Sequence, residues 1–315
     1  MNMKSTRSYI VLLILIALAP FVTSCFTGVE STKKITEKDV AKVVKAVPND
    51  NAQLGLKVYR DSLPVWKIGK RFYVCDKQAR LIFANSANYN LDTVNFEGKH
   101  LQYKGNEVGS ILDNRNTINI LLADDRNTYV YPTAKTIDEF NSGFTIPFLI
   151  DEDMIQSVAS QLEGKDVYIK TSIWYNDISQ EMIAGRKFIK VRITHVLPGN
   201  KVLPIKVEFT ASDTGENAFV WMSSQSDVMR NRDFDSLFSL TDVHLHYPTI
   251  TNDNWNLIVK GDVAVGMTKD ECRLALGAPK SVDQRPFYDG VKEYWYYDGG
   301  AYLIFDDGLL KSFRK

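Results

Sequence analysis

Hydrophobic and polar positions alternate over much of the chain. From about Leu54 short apolar runs recur between polar turns: Phe72 and Val74, Leu81-Ile82-Phe83, Leu101-Gln102-Tyr103, Ile118 to Leu122, and Tyr129-Val130-Tyr131. Asp76-Lys77-Gln78, Gly98, Gly105-Asn106 and Asp124-Asp125 punctuate them. Closely spaced short strands predict a small antiparallel barrel or sandwich over residues 54–134. At Asp151 the period changes to that of a helix. Met154, Ile155, Val158 and Leu162 share one face, and Gly164 follows where a left-handed cap belongs. Strands then return over 150–224. Ile189, Val191 and Ile193 alternate with Lys190, Arg192 and Thr194; Ile205, Val207 and Phe209 alternate with Lys206, Glu208 and Thr210. Pro198-Gly199-Asn200 turns the chain between these runs, so each strand is expected to bury one face and wet the other.

The two β regions read as copies. Gly69-Lys70-Arg71-Phe72-Tyr73-Val74 matches Gly164-Lys165-Asp166-Val167-Tyr168-Ile169, and strands at Ile118 and Tyr129 recur at Ile205 and Ala218. The spacing is that of a domain rather than a solenoid repeat. Two tandem modules, as SH3-like or related small barrels, are the expectation. A connector over 225–253 carries a short helix at Asp233 to Leu240. It also carries Asp242-Val243-His244-Leu245-His246-Tyr247, which as a strand would place Asp242, His244 and His246 on one face. A carboxylate and two imidazoles can hold zinc or iron. The competing and favoured reading is a wet strand face with no metal, Val243, Leu245 and Tyr247 pointing inward. His100 and His195 are isolated.

The last domain, residues 254–315, opens on Thr268-Lys269-Asp270-Glu271, a capping box. Cys272, Leu274, Ala275 and Leu276 supply the helix's apolar surface. Gly277 caps it and Pro279 forbids its continuation. Asp289-Gly290, Asp298-Gly299-Gly300 and Asp307-Gly308 then mark the turns of a three-strand meander. Trp255 to Val265 lacks a clear helical period, so one helix on three strands is expected. The fold class is therefore α+β, mainly β.

The first 53 residues have another character. Lys4 and Arg7 precede an apolar run from Tyr9 to Val22, shorter than the roughly 20 residues a spanning helix needs and suited to the core of a signal peptide over residues 1–24. Val22-Thr23-Ser24-Cys25 resembles the lipobox of bacterial lipoproteins. The resemblance implies a diacylglycerol and an N-acyl chain on Cys25, and no aspartate follows that residue, which by family analogy favours the outer membrane. A tether and a short helix (Val40, Val43, Val44 and Val47 on one face) would fill residues 25–53.

Composition narrows the function. Basic and acidic residues balance at 38 each, which leaves no basic footprint for nucleic acid. Sixteen Phe and 15 Tyr fit β structure. Cys75 and Cys272 would meet oxidising conditions in the envelope; two small buried thiols are favoured over a bridge between domains. No nucleophile with a base and no glycine-rich phosphate loop stands out, so no catalytic residue is assigned.

Gly266-Met267-Thr268, Leu276-Gly277-x-Pro279, Trp295-Tyr296 and Tyr302-Leu303-x-Phe305-x-Asp307-Gly308 together resemble the SmpA/OmlA (BamE-like) lipoprotein domain, related in fold to β-lactamase-inhibitor-type proteins. That family usually has two helices before its strands. The resemblance implies a non-catalytic domain that binds other proteins. Among Tyr294, Trp295, Tyr296, Tyr297 and Tyr302, the residues Tyr294, Trp295, Tyr297 and Tyr302 are the candidates for partner contact, against the alternative that most of them form the small domain's core. The expected function is a membrane-anchored scaffold that holds an envelope protein or a wall polymer. A metal-dependent envelope enzyme and an inhibitor of an envelope hydrolase are the alternatives.

Overall fold

The computed structural model describes residues 56–315 except 88, 113–114, 225–231 and 288–289. The lipobox-like segment expected at Cys25 and the helix expected near Val40–Val47 lie outside the described residues. Three antiparallel sheets follow one another along the chain, each with its own core, and none closes on itself among the described strands. The mainly β, α+β class holds at that level.

The first sheet has strands β1 (Arg71–Val74), β2 (His100–Leu112), β3 (Arg115–Ala123), β4 (Thr128–Pro132) and β5 (Leu149–Asp151), in the order β4-β3-β2-β1-β5. Phe72, Val74, Leu101, Ile120, Leu122 and Tyr129 fill its core. Gly105-Asn106, expected as a turn, lies inside β2. The strand is irregular there, and Gly105 accommodates it at φ 126°. Leu81-Ile82-Phe83, expected as a strand, instead closes a 3₁₀ helix over Lys77–Ile82. Asp76 caps that helix by accepting the Gln78 N–H at 2.8 Å.

Helix α1 (Glu152–Leu162) leads into the second sheet. Asp151 caps it, and Met154, Ile155, Val158 and Leu162 point into the second core, as their spacing implied. The strands are β6 (Asp166–Ile169), β7 (Ile173–Asn176), β8 (Met182–Ala184), β9 (Ile189–Pro198), β10 (Ile205–Ala211) and β11 (Asn217–Met222). After helix α2 (Phe234–Leu237) comes the last strand, β12 (Phe238–Ser239), and the order is β12-β6-β9-β10-β11-β7-β8.

The two sheets share a plan down to single hydrogen bonds. In each, a three-strand meander extends from one side of the first strand, and the last strand pairs on its other side. The Gly69 N–H bonds Tyr103 O at 2.8 Å, as the Gly164 N–H bonds Ile193 O at 2.9 Å. The Cys75 N–H bonds Phe148 O at 3.0 Å, as the Lys170 N–H bonds Leu237 O at 2.7 Å. Phe72 opposite Leu101 has its counterpart in Val167 opposite Val191. Gly69 and Gly164 both take positive φ, 95° and 78°, where a side chain would be strained. The β7–β8 hairpin, paired on β11, is an addition to the second sheet.

The third unit has two helices, α3 (Asn252–Lys260) and α4 (Lys269–Leu276), and four strands, β13 (Ser281–Phe287), β14 (Gly290–Tyr296), β15 (Tyr302–Asp306) and β16 (Leu309–Arg314), in sequential order. This corrects the expected single helix and three strands. In α3 only Trp255 and Ile258 are buried, too few to print a period, yet Thr251 caps its start and Gly261 its end at φ 73°. In β13 only Val282 is buried. The capping box of α4 is formed: the Thr268 N–H donates to Glu271 Oε2 at 2.7 Å and the Glu271 N–H to Thr268 Oγ1 at 3.3 Å.

Lys187 and Phe188 join the second and third units. Phe188 packs on Trp255 with ring centroids 5.6 Å apart. The Lys187 N–H bonds Val259 O at 3.1 Å, and its buried ammonium donates to Ala275 O near the end of α4, where a cation is favoured. Burial, with a smaller contribution from Lys315, pushes the Lys187 amine down to about 8. The folded joint therefore bears a penalty for a buried charge below about pH 8. That penalty is relieved as pH rises toward the ordinary lysine value of 10.5, so the contribution of Lys187 to stability should increase across this window. Between about pH 7.5 and about pH 9.5, urea denaturation should show the parent gaining roughly 1–2 kcal/mol relative to Lys187→Met, a difference that removes the opposing cost both chains share as the buried Cys75 and Cys272 thiols resist ionisation. An identical pH response in the two chains would assign the effect elsewhere.

Candidate binding face and cleft

The third sheet has one dry face and one wet face. Val282, Glu293, Trp295, Leu303, Phe305 and Leu310 are buried beneath the helices. On the opposite face, cross-strand register aligns Asp283, Tyr294, Ile304 and Ser312 in one row and Ser281, Tyr296, Tyr302 and Arg314 in the next. Arg285 lies over the Tyr294 ring at 5.0 Å and bonds Asp283 at 2.8 Å. Tyr296 is 40% exposed, and Tyr294 and Tyr302 are half-buried. The outward aromatic set is therefore Tyr294, Tyr296 and Tyr302. Trp295 is fully buried against Phe305, which corrects it from a surface anchor to a core residue. Tyr297 likewise packs on the core, its hydroxyl donating to Gly277 O at 3.3 Å, and burial raises its pKa. Alternation along β14 separates these roles: even positions face out and odd positions face in.

Asp242, His244 and His246 do not share a strand face. Val243–His246 is a 3₁₀ helix capped by Asp242, whose carboxylate accepts the His244 N–H at 2.9 Å. The His244 ring stacks on Trp255 with centroids 4.2 Å apart, while Leu245, expected inside, is 75% exposed. Among the described residues no group of three or more His, Cys, Asp or Glu side chains is placed to hold a metal ion. Cys75 and Cys272 are both free thiols, and burial pushes them up to about 11 and about 12.

A cleft of about 270 Å³ opens between the first two units. Trp66, Phe72, Phe144 and Phe148 of the first unit form one wall; Asn200, Lys201, Val202 and Pro204, at the β9–β10 turn, form another. Trp66 lies 5.0 Å from Phe72 and 6.2 Å from Phe144 between ring centroids, and its indole N–H is held by Asp61 O at 2.9 Å. Arg60 reaches across, bonding Ser224 Oγ and Met154 Sδ, the latter at 3.3 Å. Asp151, also in the lining, is neutralised by the buried Lys70 at 2.8 Å; Lys70 holds Asp153 as well, at 2.7 Å. Lys201 pairs with Asp76 at 2.9 Å. The β9–β10 turn is thereby tied to the capped 3₁₀ helix of the first unit. Nothing in the local spacing of the sequence marks this cleft, whose parts lie between residues 60 and 224.

Comparison with family models, curated proteins and solved structures returned no match. Among the described residues no helix is long and apolar enough to cross a membrane.

Proposed function

We propose that this chain is a lipid-anchored, non-catalytic lipoprotein of the bacterial cell envelope, held through Cys25 at the outer membrane. Its folded units serve as a scaffold that binds an envelope protein or a wall polymer. The observation that carries the binding role is the outer face of the third sheet. There Tyr294, Tyr296 and Tyr302 stand together, with Arg285 and Arg314 beside them, on the face turned away from the core, where Tyr296 is exposed and Tyr294 and Tyr302 are half-buried. Tyrosine and arginine are the side chains most often found to anchor protein contacts. The lipobox carries the location.

The two helices followed by an antiparallel meander support the SmpA/OmlA reading of residues 254–315, since that family has two helices before its strands. The orders β4-β3-β2-β1-β5 and β12-β6-β9-β10-β11 support reading residues 54–134 and 150–224 as SH3-like modules, completed by β5 and β12 respectively, and in the first a 3₁₀ turn at Ile137–Glu139 precedes β5. Cys25→Ser should abolish incorporation of labelled palmitate and move the chain from the membrane to the soluble fraction. In the lipidated chain, Tyr296→Ala with Tyr302→Ala should weaken partner recovery from detergent-solubilised envelope by about tenfold or more at an unchanged thermal midpoint. A Cys25→Ser chain that still sediments with membranes, or a double variant that recovers partners like the parent, would overturn the reading.

A further inference from the structure

We propose that the cleft between the first two units is a binding site for a small carboxylate attached to a ring. This goes beyond the anchored scaffold, because the lipid and the tyrosine face would stand without it. Two features define the ligand. The first is a cation with no ionic partner among the described residues. Arg60 is half-buried, and its described hydrogen bonds are to neutral atoms, Ser224 Oγ and Met154 Sδ. No carboxylate of the described residues forms an ion pair with it, and the nearby Asp151 is already held by Lys70. Burial pushes the Arg60 guanidinium below its ordinary value and Asp151 offsets part of that, as expected of a cation lacking a close partner. A planar guanidinium is matched by a carboxylate, which can accept two of its N–H groups side by side.

The second feature is the aromatic wall. Trp66, Phe144 and Phe148 line the cleft near that cation. Phe148 is held at φ 64°, its carbonyl accepting from both the backbone N–H and, at 3.2 Å, the thiol of Cys75. Aromatic faces of this kind stack on a sugar or an aromatic ring. At about 270 Å³ the space falls slightly below the usual range for drug-sized ligands, which limits the ligand to about one ring and its substituents. The other basic groups do not compete, since Lys201 is paired with Asp76 and lies 5.9 Å from the Phe148 ring.

The test uses the full chain purified in detergent, followed by calorimetry and tryptophan fluorescence. Two acids are titrated, each against a neutral counterpart: N-acetylmuramate against N-acetylglucosamine, and 4-hydroxyphenylacetate against 4-hydroxyphenylacetamide. At least one acid should bind saturably and at least tenfold more tightly than its counterpart. Arg60→Met should erase that preference and Arg60→Lys should keep part of it. Which acid binds separates a wall-derived sugar acid from an aromatic acid. Absence of saturable binding by either acid, equal binding of acid and neutral form, or a preference that survives Arg60→Met overturns the proposal. Should Arg60→Met lower the thermal midpoint, Phe144→Ala on the aromatic wall decides, and undiminished acid binding there is equally fatal. Tyr296→Ala with Tyr302→Ala should leave acid binding unchanged, so this site and the sheet face fail separately.

Discussion

Gly185→Ala is expected to destabilise the second unit by about 3 kcal/mol, as much as many large-to-small core substitutions. The added methyl would be driven into the five-membered edge of the Trp174 indole, closer than real side chains approach. Neither partner can yield easily. The Gly185 N–H is tied to Ser172 O at 2.8 Å, closing the base of the β7–β8 hairpin. Trp174 is fully buried, meets Phe209 edge to face at 5.1 Å, and donates its indole N–H to Thr171 O at 2.9 Å. Relief would require either an off-rotamer Trp174 or an opened hairpin, and both loosen the core that α1 also completes. Urea denaturation of the four chains in a double-mutant cycle with Trp174→Leu checks the cause. With the indole gone the methyl has room, so Gly185→Ala should become nearly neutral in that background. Simple additivity of the two losses would show that the glycine acts through its backbone instead.

The same hairpin shows where pattern reading stops. β9 and β10 were legible because Ile189, Val191, Ile193, Val207 and Phe209 alternate with polar residues, but the expected wet face holds only for β9, since in β10 Lys206 is buried too, over the Phe219 ring. The equivalence of the Gly69 and Gly164 segments was legible for the related reason that a glycine at positive φ precedes a half-buried strand in both. Besides Gly105-Asn106, three short stretches misled. Leu81-Ile82-Phe83 and the Asp242 to His246 run have strand-like composition, but Asp76 and Asp242 each capture a backbone N–H two residues ahead and wind the chain into 3₁₀ turns. In α3 the caps were better signals than the period, because Trp255 and Ile258 alone are buried. The cleft belongs to another category. Arg60, Trp66, Phe144, Lys201 and Ser224 come together only when the β9–β10 turn meets the first unit, a contact made by Lys201 on Asp76 rather than by any periodic segment. Of the aromatics near Trp295, only knowledge of which face of β14 is dry separates Tyr296 from its neighbours.

That dry face also sets the largest effect expected in the third unit. Glu293→Ala should destabilise it by roughly 3 kcal/mol, because the carboxylate closes a network with three donors. It accepts from Lys269 Nζ at 2.6 Å, Gln284 Nε2 at 2.8 Å and the buried Trp295 Nε1 at 3.1 Å. Burial alone would raise the pKa of Glu293; the Lys269 and Trp295 bonds, then the charge of Lys269 and the Gln284 bond, outweigh it and hold the group below its usual 4.5. The folded state thus favours the ionised form. Its contribution is complete above about pH 4.5 and is lost as pH falls through the lower folded value. Glu293→Gln separates charge from shape: an amide oxygen can still accept the indole N–H, while the attraction to Lys269 disappears. Its loss at pH 7 should be smaller than that of Glu293→Ala, and stability in mild acid should fall less steeply than in the parent. Denaturant midpoints from about pH 3 to about pH 7 test this directly, using the change in fluorescence as buried Trp295 is exposed. A Glu293→Gln chain with the parent's acid sensitivity would mean that other carboxylates set the acid limit. Equal losses for Gln and Ala at neutral pH would mean that the ion pair with Lys269, rather than the unsatisfied indole, carries the stability.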